Sequence, residues 1–372
     1  MKKKARKKEE ASIPFVRGFR RPTPLKCARA LGYEKETPPK EYDVGENFFR
    51  PIPDPKSIDD WLAQYNEEGQ TYDDFLDENP WLSSRKRRGL KQKFNSAGKT
   101  IRETFPEGKI YLLPLGDFSV EPSPRFDLLI DYAEKFFQIP VRSLPAVELK
   151  QSGANAYRWV DDDEQPPLAK KRRQSARLQD VQCRIDKNSG HVQLNVDGVL
   201  KKLKGILPKD ALCLIALTMF DLYDDEPDLF VAGMAGGLSR VAVFSFHRYD
   251  PTLAFSSEFW YDLWQEKRMP MKERKRLILQ RSCKLLVHEA AHLLGVDHCI
   301  FYDCCMNGSG HLDEDFQQSM HLCPVDLRKL AHLCGFDVVQ RYEELLLFFD
   351  RNRLADEATW VRRRLAFLND TP

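Results

Sequence analysis

Apolar residues along the chain recur with two periods, and the switches between them predict strands alternating with helices. Residues 109–115 read as a strand, and 125–138 as an amphipathic helix with Leu128, Leu129, Tyr132, Phe136 and Phe137 inward. A second strand over 141–149 would complete a βαβ unit with parallel strands. Residues 181–185 and 191–196, joined across Lys187-Asn188-Ser189-Gly190, carry a hairpin signal, with His191 on the strand surface. A short helix follows at 200–207. Residues 211–219 are almost continuously apolar, as a central strand covered on both faces would be. Two more strands, 229–234 and 241–249, are separated by Ala235-Gly236-Gly237.

Beyond them Leu277, Ile278, Leu279, Cys283, Leu285, Leu286 and Val287 predict a buried helix continuing through Leu293 and Leu294. Pro324 and Asp326 open a helix that runs through Leu333 and stops at Gly335. Another covers 338–350, carrying Tyr342, Leu345, Leu346, Phe348 and Phe349, and the charged 351–372 tail is amphipathic. The pattern is that of an α/β (α+β) protein: a mixed, mainly parallel twisted sheet and a mostly helical C-terminal subdomain. Its main domain is expected over 105–350.

The flanking segments read differently. Residues 1–56 are dense in proline and charge and are expected to be disordered and mostly unpacked. Their basic run (Lys2, Lys3, Lys4, Arg6, Lys7, Lys8) is a solvated tail or a nuclear-import signal. Residues 57–104 turn helical, with Trp61, Leu62, Tyr65, Tyr72, Phe75, Leu76, Trp81 and Leu82 making a flank that packs on the main domain. Residues 150–180, containing Asp161-Asp162-Asp163-Glu164 and Lys170-Lys171-Arg172-Arg173, predict a disordered insertion. Residues 250–272, with Phe255, Phe259, Trp260, Tyr261 and Trp264, predict a loop over a cleft mouth whose aromatics pack.

Composition narrows the partners. A net charge of +2 over 372 residues argues against a general polyanion binder. Nine cysteines, several clustered after residue 298, read as reduced thiols and ligands and not as a disulfide framework. No run of eighteen apolar residues is present, so no membrane partner is expected, and a cytoplasmic or nuclear location is.

The candidate chemistry lies in His288-Glu289-Ala290-Ala291-His292-Leu293-Leu294-Gly295-Val296-Asp297-His298. His288 and His292, four apart on a helix, share one face and can reach one ion at roughly 2.0–2.1 Å. His298 joins them only if the helix stops and turns back, for which Gly295 supplies the left-handed residue. Three nitrogens leave a fourth position for water, the arrangement of a catalytic zinc site. Glu289, directed at that open position, is the expected general base.

These residues, with Cys299, Cys304, Cys305 and Met306 and then Cys323-Pro324-Val325-Asp326, resemble the archaemetzincin family of metzincin zinc metallopeptidases. Segments 214–223 and 244–249 share the likeness, which covers roughly 105–350. The resemblance implies a metzincin-like zincin domain, peptide or protein substrates, an antiparallel edge strand lining the cleft, and Met306 in a turn beneath the histidines. It also implies a second, structural zinc held by four cysteines. Here Asp326 replaces the last of them, so Cys299, Cys304, Cys323 and Asp326 are the expected set, with His321, Cys334 and Cys305 as substitutes, against a reading of buried free thiols. His311, His321 and His332 are expected to be structural or exposed. Two alternatives to a working peptidase stand: a zinc-stabilised binding protein with idle geometry, and a nuclear, nucleic-acid-associated protease, for which the two basic runs are the support.

Overall fold

The computed structural model describes residues 19–45, 48–90, 95, 98–160, 180–186, 189–225, 230–255, 263–266 and 268–370. Two five-stranded sheets carry the fold. The first contains β1 (Lys109–Leu115), β2 (Val141–Ser143), β7 (Ala211–Thr218), β9 (Gly233–Gly236) and β10 (Val241–Ser245), in the order β2-β1-β7-β10-β9. All neighbours in it are parallel except β9, which pairs antiparallel with β10 at the edge. The second, in the order β3-β4-β5-β6-β8, joins β3 (Glu148–Gly153), β4 (Ala156–Val160), β5 (Val181–Ile185), β6 (Val192–Asn195) and β8 (Asp221–Tyr223).

β7 is central and buried along its whole length. Successive side chains leave a strand on opposite faces, and β7 obeys this from Cys213 onward, past an irregularity at Leu212. Cys213, Ile215 and Leu217 enter one core, while Leu214 and Ala216 enter the other. The first core is closed by α6 (Phe126–Phe137) and α8 (Met271–Leu293), the second by α7 (Val196–Ile206) and the second sheet. The α8 helix therefore lies against a layer whose strands are fixed from both sides.

Several expectations need correction. The strand foreseen over 141–149 stops at Ser143, since Pro145 has no N–H to give a ladder, and the chain resumes as β3 in the other sheet. Residues 150–160, expected to be disordered, belong to the β3–β4 hairpin, in which Glu148 pairs with Val160. The acidic run and basic tetrad of 161–173 lie outside the described residues, as does the basic run at 2–8. The stretch 250–272 contains a small hairpin, β11 (Leu253–Phe255) with β12 (Leu263–Glu266), whose aromatic side chains also lie outside the description. His191, at the start of β6, faces His247 and not open solvent.

The largest correction concerns the N-terminal segment. Residues 24–31 form helix α1 (Pro24–Leu31), capped by the Thr23 side chain, with Pro24 in its first turn and Gly32 (φ 78°) ending it. Cys27, Ala30 and Leu31 are buried. Further on, the fully buried Arg364 donates to the carbonyls of Asp43, Glu41 and Lys40, at 2.7, 3.1 and 3.3 Å, and straps this segment to the C-terminus. Proline and charge are common here because the helix is short and its connections run over the surface, not because the segment fails to pack.

The flank is a chain of short helices: α2 (Trp61–Gln64), α3 (Tyr72–Glu78), α4 (Ser84–Arg87) and α5 (Ile101–Thr104). After α8 come α9 (Leu312–Gln317), α10 (Pro324–Cys334), α11 (Val338–Arg351) and α12 (Ala355–Asn369). Gly335 (φ 66°) ends α10 in the left-handed conformation. Among the described residues no helix is long and apolar enough to cross a membrane.

Candidate metal centre

The α8 helix places His288 and His292 one turn apart on the same face. Its end is tightly specified. Gly295 takes φ 86°, its N–H bonds the His292 carbonyl at 2.9 Å, and the Val296 N–H returns to Ala291 at 3.0 Å. Carbonyls freed by the turn are met from the flank. The Asn79 side chain donates to Leu294 at 2.7 Å, Trp81 Nε1 to Leu293 at 3.2 Å, and Gln70 to Gly295 at 3.2 Å. A Cβ on Gly295 would stand 2.5 Å from Asn79 Nδ2.

The reversal brings His298 back to its partners. Ring centroids are 4.6 Å apart for His288 and His292, 4.8 Å for His292 and His298, and 5.5 Å for His288 and His298. One ring nitrogen from each falls within a single 4.8 Å cluster. Each opposite nitrogen is committed. His288 Nδ1 donates to the Cys305 carbonyl (2.7 Å), His292 Nδ1 to the Val296 carbonyl (2.6 Å), and His298 Nδ1 to Glu67 Oε1 (2.9 Å). The Nε2 atoms of His288 and His292 then face each other at 3.0 Å with lone pairs and no hydrogen between them. A cation suits that gap, and this fixing of tautomer from behind is how metal-ligating imidazoles are held.

Electrostatics agree. Burial, with His292 and His298 adding to it, holds His288 well below the ordinary imidazole value. Burial and His298 take His292 down to about 4. Neutral imidazole is the ligating form. Burial, with Asp315 as the lesser cause, raises Glu289 to about 8. The three histidines fit a zinc ion through nitrogens alone.

Glu67 and Gln70, which also holds Asp297, were invisible in the sequence, and Trp61, whose ring meets His298 edge-on at 4.8 Å, reads there only as a packing residue. All three come from the flank. Nothing in its periodicity distinguishes them from packing residues. Glu67 and Gln70, with Glu68, Asp74 and Glu78, leave an acidic cleft of about 570 Å³ in front of His292 and His298.

A second cluster is fully enclosed. Cys299 Sγ and Cys323 Sγ are 3.6 Å apart, and Asp326 Oδ2 lies 3.2 Å from Cys304 Sγ and 3.4 Å from Cys323 Sγ. All four donors fall within 4.8 Å of one another, and every cysteine is free. Asp326 Oδ1 pairs with the buried Lys329 at 2.8 Å. Burial, with Cys299 next, raises Asp326 to about 6. As thiolates, Cys299, Cys304 and Cys323 together with Asp326 would outweigh the one lysine, and a divalent ion would offset that buried charge. The substitutes sit elsewhere. His321 pairs with Glu357 at 2.7 Å and stacks on Trp360, and Cys305 and Cys334 are outside the cluster. Met306 is buried in the turn that carries the Cys305 carbonyl, and its own carbonyl accepts from Cys299 at 2.7 Å.

A third grouping, Asp60, His311 and Glu314, needs no ion. His311 Nε2 bonds Asp60 at 2.9 Å, and Glu314 accepts the backbone N–H groups of Trp61 (2.9 Å) and Gly310 (2.6 Å). His332 is engaged by the Tyr72 hydroxyl at 2.8 Å.

Residues 265–332, which contain all three metal-centre histidines, match the family model described as Peptidase family M54. The chain is 36% identical over 181 residues to archaemetzincin-2 of Rattus norvegicus, covering 45% of this chain and 49% of that one. It is 35% identical over 179 residues to archaemetzincin-2 of Homo sapiens, with the same coverages. To archaemetzincin-1 of Homo sapiens it is 34% identical over 179 residues, covering 44% and 36%. The chain thus spans about half the length, or less, of the curated relatives it matches. Among solved structures, archaemetzincin (AmzA) from Archaeoglobus fulgidus, complexed with malonate, aligns at 20% identity and a TM-score of 0.34, covering 59% of this chain and 99% of that one. A zinc-dependent peptidase from Methanocorpusculum labreanum aligns at 21% and 0.36, with the same coverages.

Proposed function

We propose that this relative of the archaemetzincins is a zinc-dependent metallopeptidase whose working ion is held by His288, His292 and His298. The reading rests above all on three ring nitrogens converging while the opposite nitrogen of each ring is tied to Cys305, Val296 or Glu67. The M54 match over the same residues supports it. Bound zinc would supply Lewis-acid character at its open position, lowering the pKa of water there to about 7.

The chain's own groups do the rest. Glu289 takes the proton of the attacking water on its carboxylate and delivers it to the leaving amine. Surroundings that raise a carboxyl suit such a relay, since it must hold a proton between the two transfers. Among the described residues the outer edge of β9 pairs with no strand, so an extended peptide can add there through its backbone, with limited side-chain preference. Met306 forms the apolar floor under the histidines, as in metzincins. Cys299, Cys304, Cys323 and Asp326 hold a second, structural zinc.

Digestion of a peptide library followed by mass spectrometry tests the assignment. Cleavage should stop on chelation and return on zinc reloading. A folded, zinc-loaded protein that cleaves nothing would favour the zinc-stabilised binding protein.

A further inference from the structure

Of the five histidines the peptidase reading does not use, His191 and His247 meet at a place where open sheets bind ligands. β1 passes to β2 on one side while the chain reaches β7 and β10 on the other, so the strand order reverses between β1 and β7. Such a reversal opens a crevice beyond the carboxyl ends of the strands. Here that crevice is a cavity of about 610 Å³, lined by Gly116 after β1, Met219 after β7 and His247 after β10, with Asp117, Glu148 and His191 around them. It is separate from the three-histidine centre. Arg274, which also lines it, precedes His288 on α8 by about 20 Å of helix.

His191 Nδ1 and His247 Nε2 are 2.8 Å apart, with ring centroids at 4.6 Å and planes at 85°. The His288–His292 pair has its nitrogens at 3.0 Å, centroids at 4.6 Å and planes at 87°. The two facing nitrogens share one hydrogen, donated by whichever ring carries it, and a bound ion would displace it. Burial holds His247 below its ordinary value against the pull of Asp221, which keeps it neutral. Its backbone is fixed as well. The His247 N–H donates to Ser245 Oγ at 3.0 Å, that hydroxyl donates to the Phe220 carbonyl at 2.6 Å, and Arg248 is locked on Asp221 at 2.7 Å.

We propose that His191 and His247 form a further metal site, taking a divalent late first-row transition ion (Cu2+, Ni2+ or Zn2+) through His191 Nδ1 and His247 Nε2. Two protein nitrogens leave the other coordination positions open to the crevice, where water or a small anionic ligand completes them. Copper(II) binds such nitrogen donors most tightly among these ions.

The test is a Cu2+ titration of the full, zinc-loaded chain, followed by electron paramagnetic resonance and by measurement of zinc retained. The expected result is one added Cu2+ with nitrogen hyperfine structure and no zinc lost. His191→Ala and His247→Gln should each weaken it by about tenfold or more, while His332→Ala leaves it unchanged. His191→Ala decides the matter if His247→Gln fails to fold. Copper binding of equal strength in wild type and His191→Ala, or none in either, would overturn the site and leave a plain imidazole–imidazole hydrogen bond.

Discussion

Glu67 accepts a hydrogen bond from His298 Nδ1 at 2.9 Å across 231 positions of sequence. The contact ties the helical flank to the proposed metal centre, because it sets which nitrogen of His298 carries the proton. Glu67→Gln should lower zinc affinity by about 10- to 100-fold with the fold intact. Competition against a graded series of chelators measures this. An unchanged affinity would mean that His298 needs no help from the flank.

Gly295 is the second test of placement. Alanine there must adopt a φ of 86° and bring a methyl 2.5 Å from Asn79 Nδ2. A cost of roughly 1–3 kcal/mol in unfolding free energy is expected, together with weaker zinc binding. Adding Asn79→Ala should recover part of the steric loss but not the backbone strain. Full stability and full zinc loading in Gly295→Ala would show that the turn is not constrained as described.

The enclosed cysteine cluster predicts a metal count. Elemental analysis after chelation and zinc reloading should give about two ions per chain. Asp326→Ala should lose one of them and destabilise the protein strongly, since Lys329 is then buried without its partner. Asp326→Cys should keep two. A wild-type count of one would leave Cys299, Cys304 and Cys323 as buried thiols.

The Asp250–Arg274 pair anchors the start of α8. Burial raises the Asp250 carboxyl, but hydrogen bonds from Arg274 and Thr252 outweigh it and hold it below its ordinary value. A depressed folded-state pKa stabilises above the unfolded value of about 3.9. That contribution disappears as pH falls through the lower folded value. Asp250→Asn should therefore destabilise at neutral pH, and the gap to wild type should narrow below about pH 4. Denaturant melts across that range give the answer, and a gap independent of pH would remove the pair from the account.

How much of this could be read from residues alone follows from how local each signal is. The three imidazoles sit within eleven positions, and a helix end at a glycine is enough to bring them together. β7 announced itself because a strand covered on both faces has no polar side. Glu67, Gln70 and Asn79 gave no warning, since what they do depends on a carbonyl or ring more than two hundred positions away. Helix α1 carried its own start and stop in Thr23-Pro24 and Gly32, but the prolines around it masked them. The β3–β4 hairpin was hidden by the charged stretch that follows it, and Trp159, its most buried residue, is a single position in five. His191 and His247 could not be paired from sequence because the crevice joining them is made by strand order.

On the proposed reading, Glu289 does chemistry beside an ion held by three histidines. Zinc-loaded wild type and Glu289→Ala, both shown to be folded and to contain the same zinc, should be compared on one peptide library. Cleavage by the wild type is expected, with a loss of about 10²- to 10⁴-fold in the variant. Equal cleavage by both proteins would contradict that reading.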